Sequence, residues 1–150
     1  MNTTDKLLEY IASTQSVLKE HLKPVSCYPA SSDWVGVASK FLQEKQCFSN
    51  SLNLSSIDGS DYVLGYVYMS DIGISIEHAW NRDQNGYFDL TAQLFWQLDT
   101  PVEYVELIRF PSHKAQDVFQ KCKGVDHMAL RMSVDYQYLF VNHKRSPLFS

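Results

Sequence analysis

The chain has 150 residues, 45% of them hydrophobic and 20% charged, and a net charge of -4. A chain of that size buries one hydrophobic core without disulfides or metals, so residues 1–150 are expected to form a single, soluble domain. No stretch approaches the roughly 18 apolar residues of a membrane span, and the acidic balance argues against a nucleic-acid partner, because the only short basic cluster is His143-Lys144-Arg145.

The opening residues, Met1 to Lys6, have neither the basic start nor the apolar run of a secretory signal, which makes a cytoplasmic location the expectation. Residues 5–22 then space Leu7, Leu8, Ile11, Val17, Leu18 and Leu22 mostly three, four or seven apart. Thr4 or Asp5 is available as a cap and Pro24 lies beyond the end, so the pattern predicts an amphipathic helix. Residues 23–32 read as a connection. Asp33 caps a second predicted helix carrying Trp34, Val37, Ala38, Phe41 and Leu42. In residues 46–54 the apolar Phe48, Leu52 and Leu54 are diluted by Ser and Asn, which compete for backbone bonds inside helices.

After the turn Asp58-Gly59-Ser60, which lacks the Gly-Lys-Ser/Thr of a phosphate loop, the pattern changes to period two over residues 62–68 and 72–80, predicting two strands. Asp83-Gln84-Asn85-Gly86 is a turn signal, and residues 87–91 are the returning strand. Residues 102–110 predict another strand. Pro111-Ser112 opens a helix with Ala115, Val118, Phe119 and Cys122 on one side and Gly124 past its end. Residues 128–141 show no clear period. Helices first and an antiparallel meander after them predict the α+β class, with N-terminal helices packed on the sheet.

Three cysteines, Cys27, Cys47 and Cys122, are an odd number without C-x-x-C spacing, so neither a disulfide framework nor a zinc knuckle is indicated. Thiol catalysis needs a sulfur that becomes thiolate, an imidazole to hold its proton and an acceptor that orients the imidazole. Alternation puts Ile72, Ile74, Ile76, His78 and Trp80 on one face of the second strand, so His78 continues an apolar stripe. An unpaired polar group there costs about 1 to 3 kcal/mol, and His78 therefore calls for a partner.

Asp89 is the candidate, and the hairpin register decides whether it reaches. Pairing Gln84 with Tyr87 leaves Asp89 four residues along from His78, about 13 Å away. A wider loop over residues 83–86 pairs Arg82 with Tyr87 and makes Asp89 the diagonal neighbour of His78, roughly 7 to 8 Å between backbones. A catalytic arrangement demands the second register.

His78-Ala79-Trp80, a short turn, then Tyr87-Phe88-Asp89-Leu90-Thr91 resembles the His-Ala-Trp and Asp-x-Thr pattern of transglutaminase-like proteins, and Cys47 upstream completes their Cys, His, Asp order. The resemblance covers residues 43–92. It implies a transglutaminase-like or papain-like core with Cys47 as nucleophile, His78 as general base and acid, and Asp89 as orienter. Arylamine acetyltransferases share that order, and Cys47-Phe48-Ser49-Asn50 is similar to the segment behind their cysteine. An oxyanion donor is also needed; the Cys47 backbone N–H is one candidate, Gln43 or Gln46 another.

The expectation is a cysteine-dependent acyl-transfer enzyme that hydrolyses an amide bond, acting on a protein or on a small amide or thioester, with an acyltransferase as one alternative and a non-catalytic binding or adaptor protein as the other. Taken singly, Cys47 also reads as a small buried hydrophobe, His78 as a satisfied core histidine and Asp89 as a strand-end residue. No cofactor is indicated. His78 and Glu77 point to opposite faces, and His21, His113, His127 and His143 lack i, i+4 spacing, so no metal site is expected, although Cys47, His78 and Asp89 with a water form a conceivable zinc set. Tyr62, Tyr66 and Tyr68, on one alternating face, read as core or rim, or as the lining of a substrate groove.

Overall fold

The computed structural model describes residues 2–96 and 101–141. Helix α1, Thr3–Gln15, is capped by the Asn2 side chain, which accepts from the Asp5 N–H, rather than by Thr4 or Asp5 themselves. It ends well before residue 22, because Ser16 takes the left-handed conformation and turns the chain. Val17 then bridges to Phe140, and the Leu18 N–H donates to the Leu139 carbonyl at 3.0 Å. Leu18 and Leu22 thus flank a short 3-10 turn, Lys19–His21, rather than continuing one helical stripe.

The connection predicted over residues 23–32 contains an edge strand, β1, Lys23–Val25. Helix α2, Ser32–Ala38, is capped by Ser31, whose hydroxyl accepts from the Trp34 N–H, so the cap sits two residues before Asp33. The Ser- and Asn-containing segment is a full helix, α3, Cys47–Asp58. Phe48 and Leu52 pack on one hydrophobic cluster and Leu54 on a second, so α3 is wedged between two cores and shows no single apolar face. Gly59, at φ 74°, closes it.

Strands β2, Asp61–Met69, β3, Ile74–Asp83, β4, Gly86–Phe88, and β5, Glu103–Phe110, join β1 in an antiparallel sheet of order β1-β5-β2-β3-β4. Between β4 and β5, Leu90–Phe95 is helical, α4; after β5 come α5, Ser112–Cys122, and α6, His127–Arg131. The architecture is α+β. The larger core joins Ile11 and Val17, the β2 residues Tyr62, Leu64 and Tyr66, and Ala115, Val118 and Leu130. Tyr62 and Tyr66 are fully buried in it and line no groove. The smaller core holds Ala38, Leu42, Leu54, Phe88 and Leu90.

The β2–β5 ladder shifts register between Leu64 and Gly65. A Cβ on Gly65 would overlap the Val105 carbonyl oxygen and lie 2.9 Å from Cη2 of Trp80, so only glycine lets β5 approach here. Gly65 pairs with His78, which places this irregularity beside the candidate site.

Candidate functional site

The β3–β4 hairpin pairs Arg82 with Tyr87 and Asn81 with Phe88, the register that brings Asp89 toward His78. The turn itself is tighter than a four-residue loop, since Asp83 pairs with Gly86 and only Gln84 and Asn85 lie between. The strand predicted to run to residue 91 stops at Phe88. Asp89 leaves the ladder and becomes the N-cap of α4, its Oδ1 accepting from the Ala92 N–H at 3.0 Å. Because β4 pairs with β3 only over residues 81–83, β3 is the sheet edge at the level of His78.

The other oxygen of Asp89 faces His78. The His78 Nε2–H donates to Asp89 Oδ2 at 2.7 Å, and the Tyr104 hydroxyl donates to the same oxygen at 2.7 Å. Both partners of the ion pair are closed to water, with side-chain exposures of 2% and 3%. Burial pushes the His78 pKa down, but the charge and hydrogen bond of Asp89, aided by the nearby Cys47, more than offset it and raise the ring to about 9. The protonated ring is favoured at neutral pH.

Cys47 is the first residue of α3 and is half-buried. Its side chain is close enough to His78 to raise the ring's pKa, although the two form no hydrogen bond among the described residues, and with Nε2 committed to Asp89 the ring's free nitrogen is Nδ1. The first intrahelical bond of α3 runs from the Asn50 N–H to the Gln46 carbonyl at 2.8 Å, so the N–H groups of Cys47, Phe48 and Ser49 precede it. Open donors at the positive end of a helix dipole lie beside the sulfur, a favourable field for negative charge.

Asn50 holds this helix start in place. Its side chain donates to the Gln43 carbonyl at 2.7 Å and to Thr91 Oγ1 at 3.1 Å, and accepts from the Gln43 N–H at 3.0 Å. It thereby ties the loop before Cys47 to α4, next to Asp89. Gln43 and Gln46 precede the thiol in sequence and are exposed, and the side chain of neither makes a hydrogen bond among the described residues. Trp80 is fully buried and stacks on the His78 ring at 6.0 Å and 22°. Trp96, at 4.7 Å, and Tyr104, at 6.4 Å, complete an aromatic surround for the imidazole.

Cys47, His78, Asp89 and Trp80 are therefore brought together. Tyr104, Trp96 and Asn50 join them without having been singled out by alternation or spacing, although Asn50 stands where the acetyltransferase-like segment has its Asn. His127 is also near. It is fully buried, its Nε2–H donates to the Gly65 carbonyl at 2.7 Å, and burial lowers its pKa to about 3, so it is a neutral prop behind the strand that pairs with His78.

A cavity of about 750 Å³ opens on the far side of Asp89, walled by Cys27, Tyr28, Trp96, Glu103 and Tyr104; neither Cys47 nor His78 lines it. Burial and the nearby Asp89 charge push the Cys27 thiol up, the marks of an unreactive cysteine. Among the described residues no three His, Cys, Asp or Glu side chains gather as a metal site, and no helix is long and apolar enough to cross a membrane. The basic cluster His143-Lys144-Arg145 lies outside the described residues. No protein-family model matches the chain, and neither a curated protein nor a solved structure is significantly similar to it.

Proposed function

We propose that the chain is a cysteine-dependent acyl-transfer enzyme that hydrolyses an amide bond, built on a transglutaminase-like or papain-like core. The observation that carries this reading is the buried 2.7 Å His78–Asp89 pair with the Cys47 thiol, at a helix start, as the ring's other polar neighbour. A histidine kept protonated beside a thiol is the arrangement that holds a thiolate–imidazolium pair ready.

In this mechanism the Cys47 sulfur attacks the amide carbonyl carbon, and the carbonyl π pair moves onto oxygen, where the open N–H groups at the start of α3 face it. The tetrahedral species collapses, the C–N bond breaks, and the departing nitrogen takes the proton from His78. Water then attacks the thioester and returns a proton to His78, and the acid leaves as the C–S bond breaks. An amine in place of water makes the same centre a transferase. Asp89 orients the ring and stabilises its charge without changing its own protonation. A reducing compartment such as the cytoplasm keeps the thiol free for this work.

Labelling tests the reading directly. At pH 6, where an ordinary thiol is almost wholly protonated, limiting iodoacetamide followed by peptide mass spectrometry is expected to modify Cys47 well ahead of Cys27 and Cys122. His78→Ala is expected to remove that lead. If Cys47 labels no faster than Cys122 in the unmodified protein, the enzyme reading fails, and the second reading, a non-catalytic binding protein that uses the 750 Å³ cavity, takes its place.

A further inference from the structure

The cavity beside Asp89 has a chemistry of its own. At about 750 Å³ it is the size of a small-molecule site. Three aromatic side chains, Tyr28, Trp96 and Tyr104, stand in its walls, and the aliphatic Leu7 and Val102 line it further along. Its charged groups are Glu103, exposed at the rim, and Asp89; among the described residues that line it there is no Lys, Arg or His.

The two tyrosine hydroxyls in the wall have spent their donors elsewhere, and the Asp89 charge is already answered by His78. The Tyr28 hydroxyl donates to Asp83 at 2.7 Å and the Tyr104 hydroxyl to Asp89 at 2.7 Å. Gln93 is used at both ends by Ala30, donating to its carbonyl at 3.2 Å and accepting from its N–H at 3.0 Å. What the wall leaves for an occupant is the tyrosine oxygens, the Glu103 carboxylate and aromatic faces, beside the second N–H of the Gln93 amide and the indole N–H of Trp96. An anion would meet the exposed Glu103 carboxylate, which has no counter-charge among the described residues that line the cavity, whereas an ammonium group gains from that carboxylate and from the aromatic faces.

We infer that this cavity binds a small amphipathic amine as its ammonium ion, with the charged head between Glu103 and the rings of Trp96 and Tyr104 and the alkyl chain along Leu7 and Val102. The site is separate from the sulfur, yet it shares a wall with the triad, because the Trp96 ring that lines the cavity lies 4.7 Å from the His78 ring. The binding stands independently of the acyl-transfer reading. An effect of the bound amine on Cys47 rests on that reading.

The test is a set of nuclear magnetic resonance titrations of the full chain with hexylammonium, hexanol and hexanoate, which differ only in the head group. Hexylammonium is expected to bind saturably and at least about tenfold more tightly than hexanoate. Glu103→Gln is expected to weaken hexylammonium about two- to fivefold, the range of an exposed ion pair, and to leave hexanol unchanged. Nα-acetyl-lysine methylamide, run alongside, distinguishes a lysine side chain of a peptide from a free amine as the source of the ammonium group. Hexanoate binding as tightly as hexylammonium, no saturable hexylammonium binding, or an unchanged Glu103→Gln affinity would each overturn the proposal. Iodoacetamide labelling of Cys47 with and without saturating hexylammonium separates the two readings: binding with no change in labelling keeps the site and removes its link to the triad.

Discussion

His78 and Tyr104 both end on one oxygen of Asp89, each at 2.7 Å. The carboxylate that orients the imidazole is thus shared with a phenol from another strand, while its second oxygen caps α4. On the acyl-transfer reading, orientation of the imidazole and capping of α4 meet at one side chain, and the variants below pull them apart.

Asp89→Ala removes both functions. It leaves a buried histidine without its counter-charge and α4 without its cap, and the expected loss is about 3 to 5 kcal/mol in urea unfolding. Asp89→Asn keeps a hydrogen-bonding oxygen but not the charge, so it is expected to fold with a smaller loss while Cys47 loses its labelling advantage at pH 6. Full labelling in Asp89→Asn would show that the carboxylate charge is not what prepares the thiol.

Tyr104→Phe takes one donor from Asp89 Oδ2 and leaves that oxygen to His78 alone. The imidazolium is then held more strongly, and its pKa is expected to rise above the value of about 9, with a stability cost of about 0.5 to 1.5 kcal/mol for the lost hydrogen bond. Titration of the His78 ring resonances reads the shift, and an unchanged or lower pKa would count against a shared oxygen.

The two buried histidines give stability opposite slopes with pH. His78 is raised from 6.5 to about 9, so the folded chain keeps a proton that the unfolded chain has lost. That contribution is complete below pH 6.5 and is lost as the pH rises to about 9. His127 is lowered from 6.5 to about 3, so below pH 6.5 the unfolded chain takes up a proton that the folded chain refuses, and stability falls toward pH 3. Each slope reaches at most about 1.4 kcal/mol per pH unit. Urea midpoints are expected to peak near pH 6.5, with His78→Gln flattening the alkaline limb and His127→Gln the acid limb.

Asn50→Ala frees the loop before Cys47 from both α3 and α4. Three hydrogen bonds go, two of them to the Gln43 backbone. The expected cost is about 1 to 3 kcal/mol, together with a slower labelling of Cys47 because the helix start is no longer held. If labelling is untouched in a folded Asn50→Ala protein, the clamp is structural only.

Some of this was legible in single segments. Strict alternation exposed β2 and β3, the turn residues at 83–86 marked the hairpin, and an imidazole in an apolar stripe demanded an acceptor within a hairpin's reach. The register that satisfied His78 is the one the chain adopts, although the strand after the turn was overextended by three residues, because Asp89 satisfies a helix end rather than a ladder. Alternation and turn chemistry are local signals. The burial they were read from is not one-sided, because β2 is buried on both faces from Tyr62 to Val67 and β3 from His78 to Asn81, while Ile72 and Ile74 at the far end of the predicted stripe are exposed.

What the sequence determined by itself is the α+β ordering of elements and the meeting of His78 with Asp89, eleven residues apart across one turn. Only the tertiary structure decided the rest. Helix α3 was obscure because it is buried between two clusters and spends its Asn and Ser groups on distant partners, Thr91 at a separation of 41 residues among them. β1 is a strand only because β5 lies beside it, and Tyr104 reaches Asp89 only because β5 joins the sheet next to β2. A polar side chain or a three-residue strand has no periodic signature; its place is set by whichever remote group satisfies its hydrogen bonds when water is excluded.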